Sequence, residues 1–525
     1  MGSIFNTLNI GYSGLTAAQL GVSTTSHNIT NADSEGYTRQ RVVTAASTPI
    51  YSSSGNVGNG TSIVDIARIF DNFIYDRYTG LASDKENSDF IQSTLKELST
   101  YFPEIDEVGI KSDLKEYYTM WQTFADNPDN DAIKLALAKQ TETLSSSITT
   151  TQNKITALQT SLNEQLQTSV SEVNLLAKEL SQINISIATA EAGGAFSAND
   201  LRDKRNSIEL NLAKLIGSNA INGQIESNMR IDSSSNENSG SYTLSVSGFN
   251  IVDGGAFHPI HISSANNSNG FYELSYERQD GVLIPMDESI KGGRIGAILE
   301  LRGSEINESS QGVPSNGILQ KVIDQMDAFA ATLIESTNNI YASAHVASME
   351  SKIVDFDGSD PILNSSLNLN AGSFDILIYD IDGNVTARRS INIDFTTSMS
   401  GVAGSNSIQG QIEAQGDDNS DGNANNDVDD YIEYNWATYP NGDNAIEFVM
   451  DAAYSAKGYS FSIEDKLTND DFDSGSNFAG ALGMNKFFDG DNAKNINLNY
   501  KLRDNPTNIT AGRAPVTGDN TLALD

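Results

Sequence analysis

The chain has 525 residues, no cysteine and a formal net charge of −37, from 69 acidic against 32 basic side chains. Such a surface repels nucleic-acid phosphates and anionic lipid, which argues against both as partners, and the lack of cysteine excludes disulfides and thiol chemistry. With 38% apolar residues, a chain of this length predicts about three or four domains with modest cores.

The N-terminus lacks the basic segment and continuous apolar run of a cleaved signal peptide. No run of about 18 apolar residues marks a transmembrane helix. Residues 4–29 instead read as an amphipathic helix: Phe5, Leu8, Tyr12, Leu15, Val22 and Ile29 recur at helical steps, with Ala18 on the same side. Leu8, Leu15, Val22 and Ile29 are spaced by sevens, as in a coiled-coil seam. Such a helix is marginal alone; it either packs on its own domain or is completed by another chain.

Residues 31–69 carry Asn31, Asp33, Gly36, Gly55, Gly58 and Gly60 between β-prone stretches, which predicts a loop with one or two short hairpins. Helical spacing returns over 71–101 and 113–124, stopped near Asn127-Pro128. Over 131–192 an apolar stripe runs through Ile133, Leu137, Leu144, Ile148, Ile155, Leu158 and Leu162, and resumes at Val173, Leu176, Leu180, Ile183 and Ile187. The step between the halves is a heptad plus a stutter. The rod would be on the order of 90 Å long, ended by Gly193-Gly194. A further helix spans 198–216, with Gly217 as its left-handed cap.

Strands follow at 242–246, 271–276 and 282–284, then helices within 293–345. A second β region spans 352–475. In it 374–379 and 385–393 flank the turn Asp382-Gly383, and 396–430, poor in apolar residues, reads as an exposed loop. The fold class is therefore α+β, elongated and multidomain: a long helical bundle or coiled-coil rod domain with inserted β-rich domains. The expected parts are an N-terminal helix (1–35), a rod domain (36–216, hairpins at 36–70), a β-rich insertion (217–291), return helices (292–350), a second β-rich insertion (351–477) and a return segment (478–525).

The stretch Ser13-Gly14-Leu15, Ala17-Ala18-Gln19, His27-Asn28-Ile29, Asn31 and Gly36-Tyr37-Thr38-Arg39-Gln40 resembles the N-terminal signature of the flagellar rod and hook axial family, with His27 replacing an Asn. Leu201-Arg202-Asp203-Lys204-Arg205-Asn206, Gly293 to Leu299 with Arg302, and Ala479 to Asn485 with Phe487-Phe488 are similar to its hook–filament junction branch. The resemblance covers 1–70, 130–216, 290–345 and 478–525. It implies a non-enzymatic, extracellular flagellar protein, exported without a cleaved signal peptide. The implied partners are further copies of itself in a ring, the hook protein, the neighbouring junction protein on the filament side and an export chaperone. The implied assembly residues are Leu8, Leu15, Val22, Asn28, Ile29, Asn31, Gly36, Tyr37 and Arg39. It also implies a C-terminal helix paired with the N-terminal one and carrying the chaperone site. That helix would begin where this chain stops, at Leu522 to Asp525, so a monomer with a mobile terminus is expected.

Little else points to chemistry. His258 and His261 flank Pro259 in a strand-like region without a third ligand in a suggestive position, and read as solvated rather than metal-bound. Asp417, Asn419, Asp421 and Gly422 match positions 1, 3, 5 and 6 of a calcium loop, but Val428 stands where a bidentate Glu is required. No carboxylate pair is singled out for glycoside cleavage, and no cofactor is expected. Two other readings remain: the hook protein itself, which the long helix does not suit, and a carbohydrate-binding or hydrolytic module in the second insertion. A concave cluster of Tyr431, Tyr434 and Trp436 would mark the latter.

Overall fold

A computed structural model describes residues 4–52, 55–103, 108–192, 197–224, 237–265, 267–278, 280–306, 312–439, 443–465 and 475–525. The longer helices are α1 (Ile4–Thr30), α2 (Asn72–Ser99), α3 (Ile110–Asp126), α4 (Asp131–Glu191), α5 (Asn199–Ile216), α6 (Gly293–Arg302) and α7 (Ile318–Tyr341). Each follows the apolar spacing read from the sequence. The Gly193-Gly194 stop lies outside the described residues. The chain is α+β and forms two compact units, residues 1–99 with 156–322, and 100–155 with 323–525.

In the first unit, β1 (Gln40–Ala46) and β4 (Thr61–Arg68) pair antiparallel beneath α1, and β2 (Ile50–Ser52) pairs with β3 (Gly55–Val57) as a small hairpin. The β-rich part holds two sheets. One orders β5 (Asn219–Gln224), β6 (Glu237–Val246), β7 (Phe249–Asp253) and β8 (Ala256–Phe257); the other is β11 (Leu283–Pro285), β10 (Glu273–Glu277) and β9 (Ile260–Ser263). His261 lies in β9 with its Nε2 2.5 Å from Glu277.

The apolar stripe of α4 has no gap at its stutter. Leu166 and Val170 are fully buried between Leu162 and Val173, at helical steps. Beside this stripe, Asn163, Asn174 and Asn184 each donate an amide hydrogen bond to a carbonyl of the β-rich part, at Gly270, Ile260 and Gly254 (2.8–3.0 Å). Buried backbone carbonyls need such partners.

Helix α5 ends at Gly217, whose φ of 68° is left-handed. A Cβ on Gly217 would lie 2.7 Å from Gly292 Cα, and one on Gly293 would lie 2.6 Å from Ile216 N. This near contact of two backbones is why α6 opens on consecutive glycines.

The second unit is built on two three-stranded antiparallel sheets. In one, β13 (Gly372–Tyr379) lies between β14 (Val385–Ile393) and β17 (Ser460–Asp465). In the other, β16 (Asn444–Met450) lies between β12 (Ser348–Glu350) and β15 (Ile432–Thr438). They share one core that includes Phe374, Ile376, Ile391, Ile446, Phe448 and Phe461. Phe374 stacks on Phe478 with centroids 4.3 Å apart.

Two sequence expectations change here. Residues 396–430 are not an exposed loop: Met399, Ile408, Ile412 and Val428 are fully buried in this core. These four of its few apolar residues occupy inward positions, while Val402 stays exposed, so its average composition misleads. Nor do the aromatics make a concave platform. Tyr431 and Tyr434 are core residues, and Trp436 packs against Phe356. Tyr434 spends its hydroxyl on Met399 O at 2.9 Å.

Candidate assembly surface

Helix α1 packs on β1 and β4 with one side only. Thr24 is its buried residue, and Ser13 Oγ accepts from Thr61 N at 3.2 Å. The heptad stripe faces outward: Leu8, Leu15, Val22 and Ile29 are 67%, 59%, 68% and 72% exposed. Residues 1–32 contain no Asp, Glu, Lys or Arg, in a chain where 19% of residues are charged. A continuous exposed apolar face of this kind marks an interaction site. Of the two arrangements open from the sequence, the helix packed by its stripe on its own domain does not occur.

The C-terminal end of α1 is held in a fixed turn. Asn28 Nδ2 donates to Gln40 O at 2.8 Å, and Asn28 Oδ1 accepts from Gln40 N at 2.8 Å and from Tyr37 OH at 2.7 Å. Asn31 caps the helix from outside: its Nδ2 donates to His27 O at 3.1 Å, and its Oδ1 accepts from Ser34 Oγ at 3.4 Å. Gly36 has φ 78°, which a side chain would resist. His27 sets its ring edge against Tyr37, 5.5 Å between centroids.

Support for this turn comes from α5. Thr38 N donates to Asp203 Oδ2 at 2.9 Å, and Gln40 Nε2 to Asp200 Oδ1 at 3.1 Å. The other oxygen of Asp203 accepts from Arg68 Nη1 at 2.9 Å in a buried ion pair. Burial, then the charges of Asp200 and Asp203, raise the Tyr37 pKa, which keeps its hydroxyl a donor to Asn28.

The structure thus brings Asn28 and Tyr37 together as one hydrogen-bonded unit and sets Asn31 and Gly36 beside it. Arg39 is exposed, and its carbonyl accepts from Ile69 N at 2.8 Å. Ile29 and Arg39 line an open groove of about 460 Å³ between α1 and β1. Leu8, Leu15 and Val22 make no part of the turn. The residues that sequence reading missed are Arg68, Asp200 and Asp203. Asp203 falls within a motif noted above, but its partners are about 135 and 165 positions away.

The calcium-like residues belong to the second unit. Asp417 accepts from Asp421 N (3.1 Å) and Gly422 N (2.9 Å). Asn419 Oδ1 accepts from Asp421 N at 3.1 Å, and Asp421 Oδ1 from Asn423 N at 2.8 Å.

Comparison with known proteins agrees with the helical part of this architecture. A family model described as the flagellar hook-associated protein FlgK helical domain matches residues 95–348. Flagellar hook-associated protein 1 of Salmonella typhimurium is 26% identical over 336 residues, which are 62% of this chain and 56% of that protein. The protein of the same name from Bacillus subtilis is 27% identical over 223 residues, 41% of this chain and 44% of its own. The solved flagellar hook junction protein FlgK of Burkholderia pseudomallei shares 16% identity at a TM-score of 0.44, covering 83% of this chain and 66% of that one. The chain thus spans about half the length of the curated relatives it matches. Residues 95–348 thus match the model of a FlgK helical domain, and over part of its length the chain is similar to flagellar hook-associated protein 1.

Proposed function

We propose that this chain is a structural adaptor of the bacterial flagellum, placed at the junction of hook and filament and working by packing rather than by chemistry. One observation carries the reading for this chain: a helix with no charged residue turns its apolar stripe outward from a strongly acidic protein. Association is resisted wherever acidic surfaces meet, and α1 is where that resistance is least. Leu8, Leu15 and Val22 would form the seam, and Ile29 with Arg39 its end. Asn28, Asn31, Gly36 and Tyr37 would set the angle at which α1 leaves the body. The partners on this reading are further copies of the chain, the hook protein and the neighbouring junction protein on the filament side. The protein would reach them outside the cell by an export route that leaves its N-terminus intact, with a chaperone before export.

The test is addition of the purified chain to isolated hooks of the encoding bacterium, beside a Leu15→Asp/Val22→Asp variant. The unchanged chain should decorate the distal hook end, and the variant should not. Failure of the unchanged chain to bind overturns the adaptor reading. Equal binding by the variant removes α1 as the seam.

A further inference from the structure

An asparagine followed by glycine is a reactive pair, because glycine has no Cβ to shield its amide nitrogen from the carboxamide before it. Three such pairs fall where the asparagine side chain is described: Asn59-Gly60, Asn269-Gly270 and Asn316-Gly317. The fold treats them differently. Asn316 is held: its Oδ1 accepts from Ser304 N at 2.8 Å and Glu305 N at 3.1 Å, and its Nδ2 donates to Ser304 Oγ at 3.3 Å. Its carboxamide cannot turn toward Gly317 without losing these bonds. At the second pair the attacking nitrogen is spent, since Gly270 N donates to Asn267 O at 3.4 Å.

Asn59-Gly60 lies in the connection between β3 and β4, and both residues are half-buried. Among the described residues, neither the Asn59 side chain nor the Gly60 N–H has a hydrogen-bond partner. The attacking nitrogen and the carboxamide are therefore both unencumbered, and water reaches them. Gly60 is also pressed against α1. Its φ is 91°, and a Cβ there would overlap Ser13 Oγ and lie 3.4 Å from Ile10 Cα. The next residue, Thr61, donates its N–H to Ser13 Oγ at 3.2 Å, and that hydroxyl donates to Ile10 O at 2.8 Å. The reactive pair thus adjoins the point where β4 grips the first half of α1.

We propose that Asn59 is a site of spontaneous deamidation, and that its modification loosens α1 from β4. The Gly60 amide nitrogen gives up its proton and attacks Asn59 Cγ. A Cγ–N bond forms, the Cγ–Nδ2 bond breaks, and the departing NH2 takes the proton and leaves as ammonia. A cyclic imide remains, and one water then opens it. Opening at Cγ leaves an aspartyl residue; opening at the main-chain carbonyl leaves an isoaspartyl residue, whose main chain runs through Cβ and Cγ. The isoaspartyl product lengthens the backbone by one carbon immediately before Gly60. That shift cannot be absorbed where Gly60 touches Ser13, so the Thr61–Ser13 hydrogen bond is lost. Either product also sets a carboxylate one residue from the contact with α1, whose own sequence carries no acidic or basic side chain save His27.

The experiment ages the full folded chain in mildly alkaline buffer, beside the same chain unfolded in urea and an Asn59→Gln variant, whose longer side chain closes its ring far more slowly. Mass spectrometry of the peptides reads the gain of OH for NH2, and fragmentation separates aspartyl from isoaspartyl. In the folded chain Asn59 should convert well ahead of Asn269 and Asn316, at a rate that grows with hydroxide because the attacking nitrogen must lose its proton. In the unfolded chain the three should convert alike. Native-state hydrogen exchange at Thr61 should then be faster in the aged chain than in the fresh one, and unchanged in the aged Asn59→Gln variant. Asn59 left intact in the folded chain while it converts in the unfolded one overturns the proposal. So does conversion of Asn316 as fast as Asn59 in the folded chain. Conversion of Asn59 without faster exchange at Thr61 overturns the loosening of α1.

Discussion

Asn174 and Ile260 are joined twice: the Asn174 Nδ2 donates to Ile260 O at 2.8 Å, and Ile260 N donates to Asn174 Oδ1 at 2.9 Å. A side-chain amide here stands in for a neighbouring strand and fixes the first residue of β9 against α4. Asn163 repeats the device, donating to Gly270 O and accepting from Tyr272 N at 2.9 Å. Steps of eleven and ten residues between Asn163, Asn174 and Asn184 are close to three turns, so the amides share a face. Replacing Asn174 with Leu strands both polar groups of Ile260. The expected cost is about 2–3 kcal/mol, read as a lower urea midpoint with an unchanged m-value. A loss below about 0.5 kcal/mol, the range of a neutral substitution, would mean that apolar packing alone sets the strand.

Asp287 gives the first unit a pH dependence of definite sign. Both of its oxygens accept from Leu274 N, at 3.0 and 2.9 Å, in a buried site. Burial raises its pKa to about 6, against the lowering pull of that N–H and of Arg302. The unfolded value is about 3.9. Between these values the folded state binds more protons, so this group's contribution to stability falls as pH rises from about 4 to about 6 and stays low above. Asp287→Asn should therefore be more stable than the unchanged protein at pH 8, by on the order of 2 kcal/mol. The advantage should shrink near pH 4. Urea midpoints of both proteins at the two pH values decide the point, and a constant difference would exclude titration of Asp287.

The outward stripe of α1 separates stability from association. Asp at Leu15 or Val22 meets solvent in the single chain, so unfolding should shift by less than about 0.5 kcal/mol. The same changes place a carboxylate on an uncharged face and should abolish binding to hooks. Loss of stability by more than about 1 kcal/mol, typical of a buried site, would show that the stripe is packed within the chain.

Asn28→Ala tests the turn at the end of α1. The change leaves the amide and carbonyl of Gln40 and the hydroxyl of Tyr37 without their partner, for an expected cost of about 1–2 kcal/mol. Native-state hydrogen exchange should speed up at Gln40 while the amides of α4 stay protected. Unchanged protection at Gln40 would show that β1 and β4 hold the turn without Asn28.

The helices were legible because their signal is local. Apolar spacing placed α1 to α5 to within a few residues and located α6 and α7 within 293–345 without their bounds, and Gly217 marked the end of α5 as a left-handed cap. The same periodicity could not say whether the stripe of α1 met its own domain or solvent, since both give one apolar face. What stayed hidden was nonlocal. The supports of Thr38 and Gln40 come from Asp203 and Asp200, more than 150 positions away. In the 396–430 segment, Ile408 and Val428 are so sparsely placed that composition argued for solvent, although each fills the core.

The charge-free helix at the N-terminus makes ionic strength act on this protein in an uncommon direction. Raising salt from about 0.1 M to about 1 M shortens the screening length from about 10 Å to about 3 Å. The acidic bodies then repel one another less, while an apolar seam has no ion pairs to be weakened. Association through α1 should tighten as salt rises and loosen on dilution into fresh water, the reverse of what a contact built on salt bridges would do.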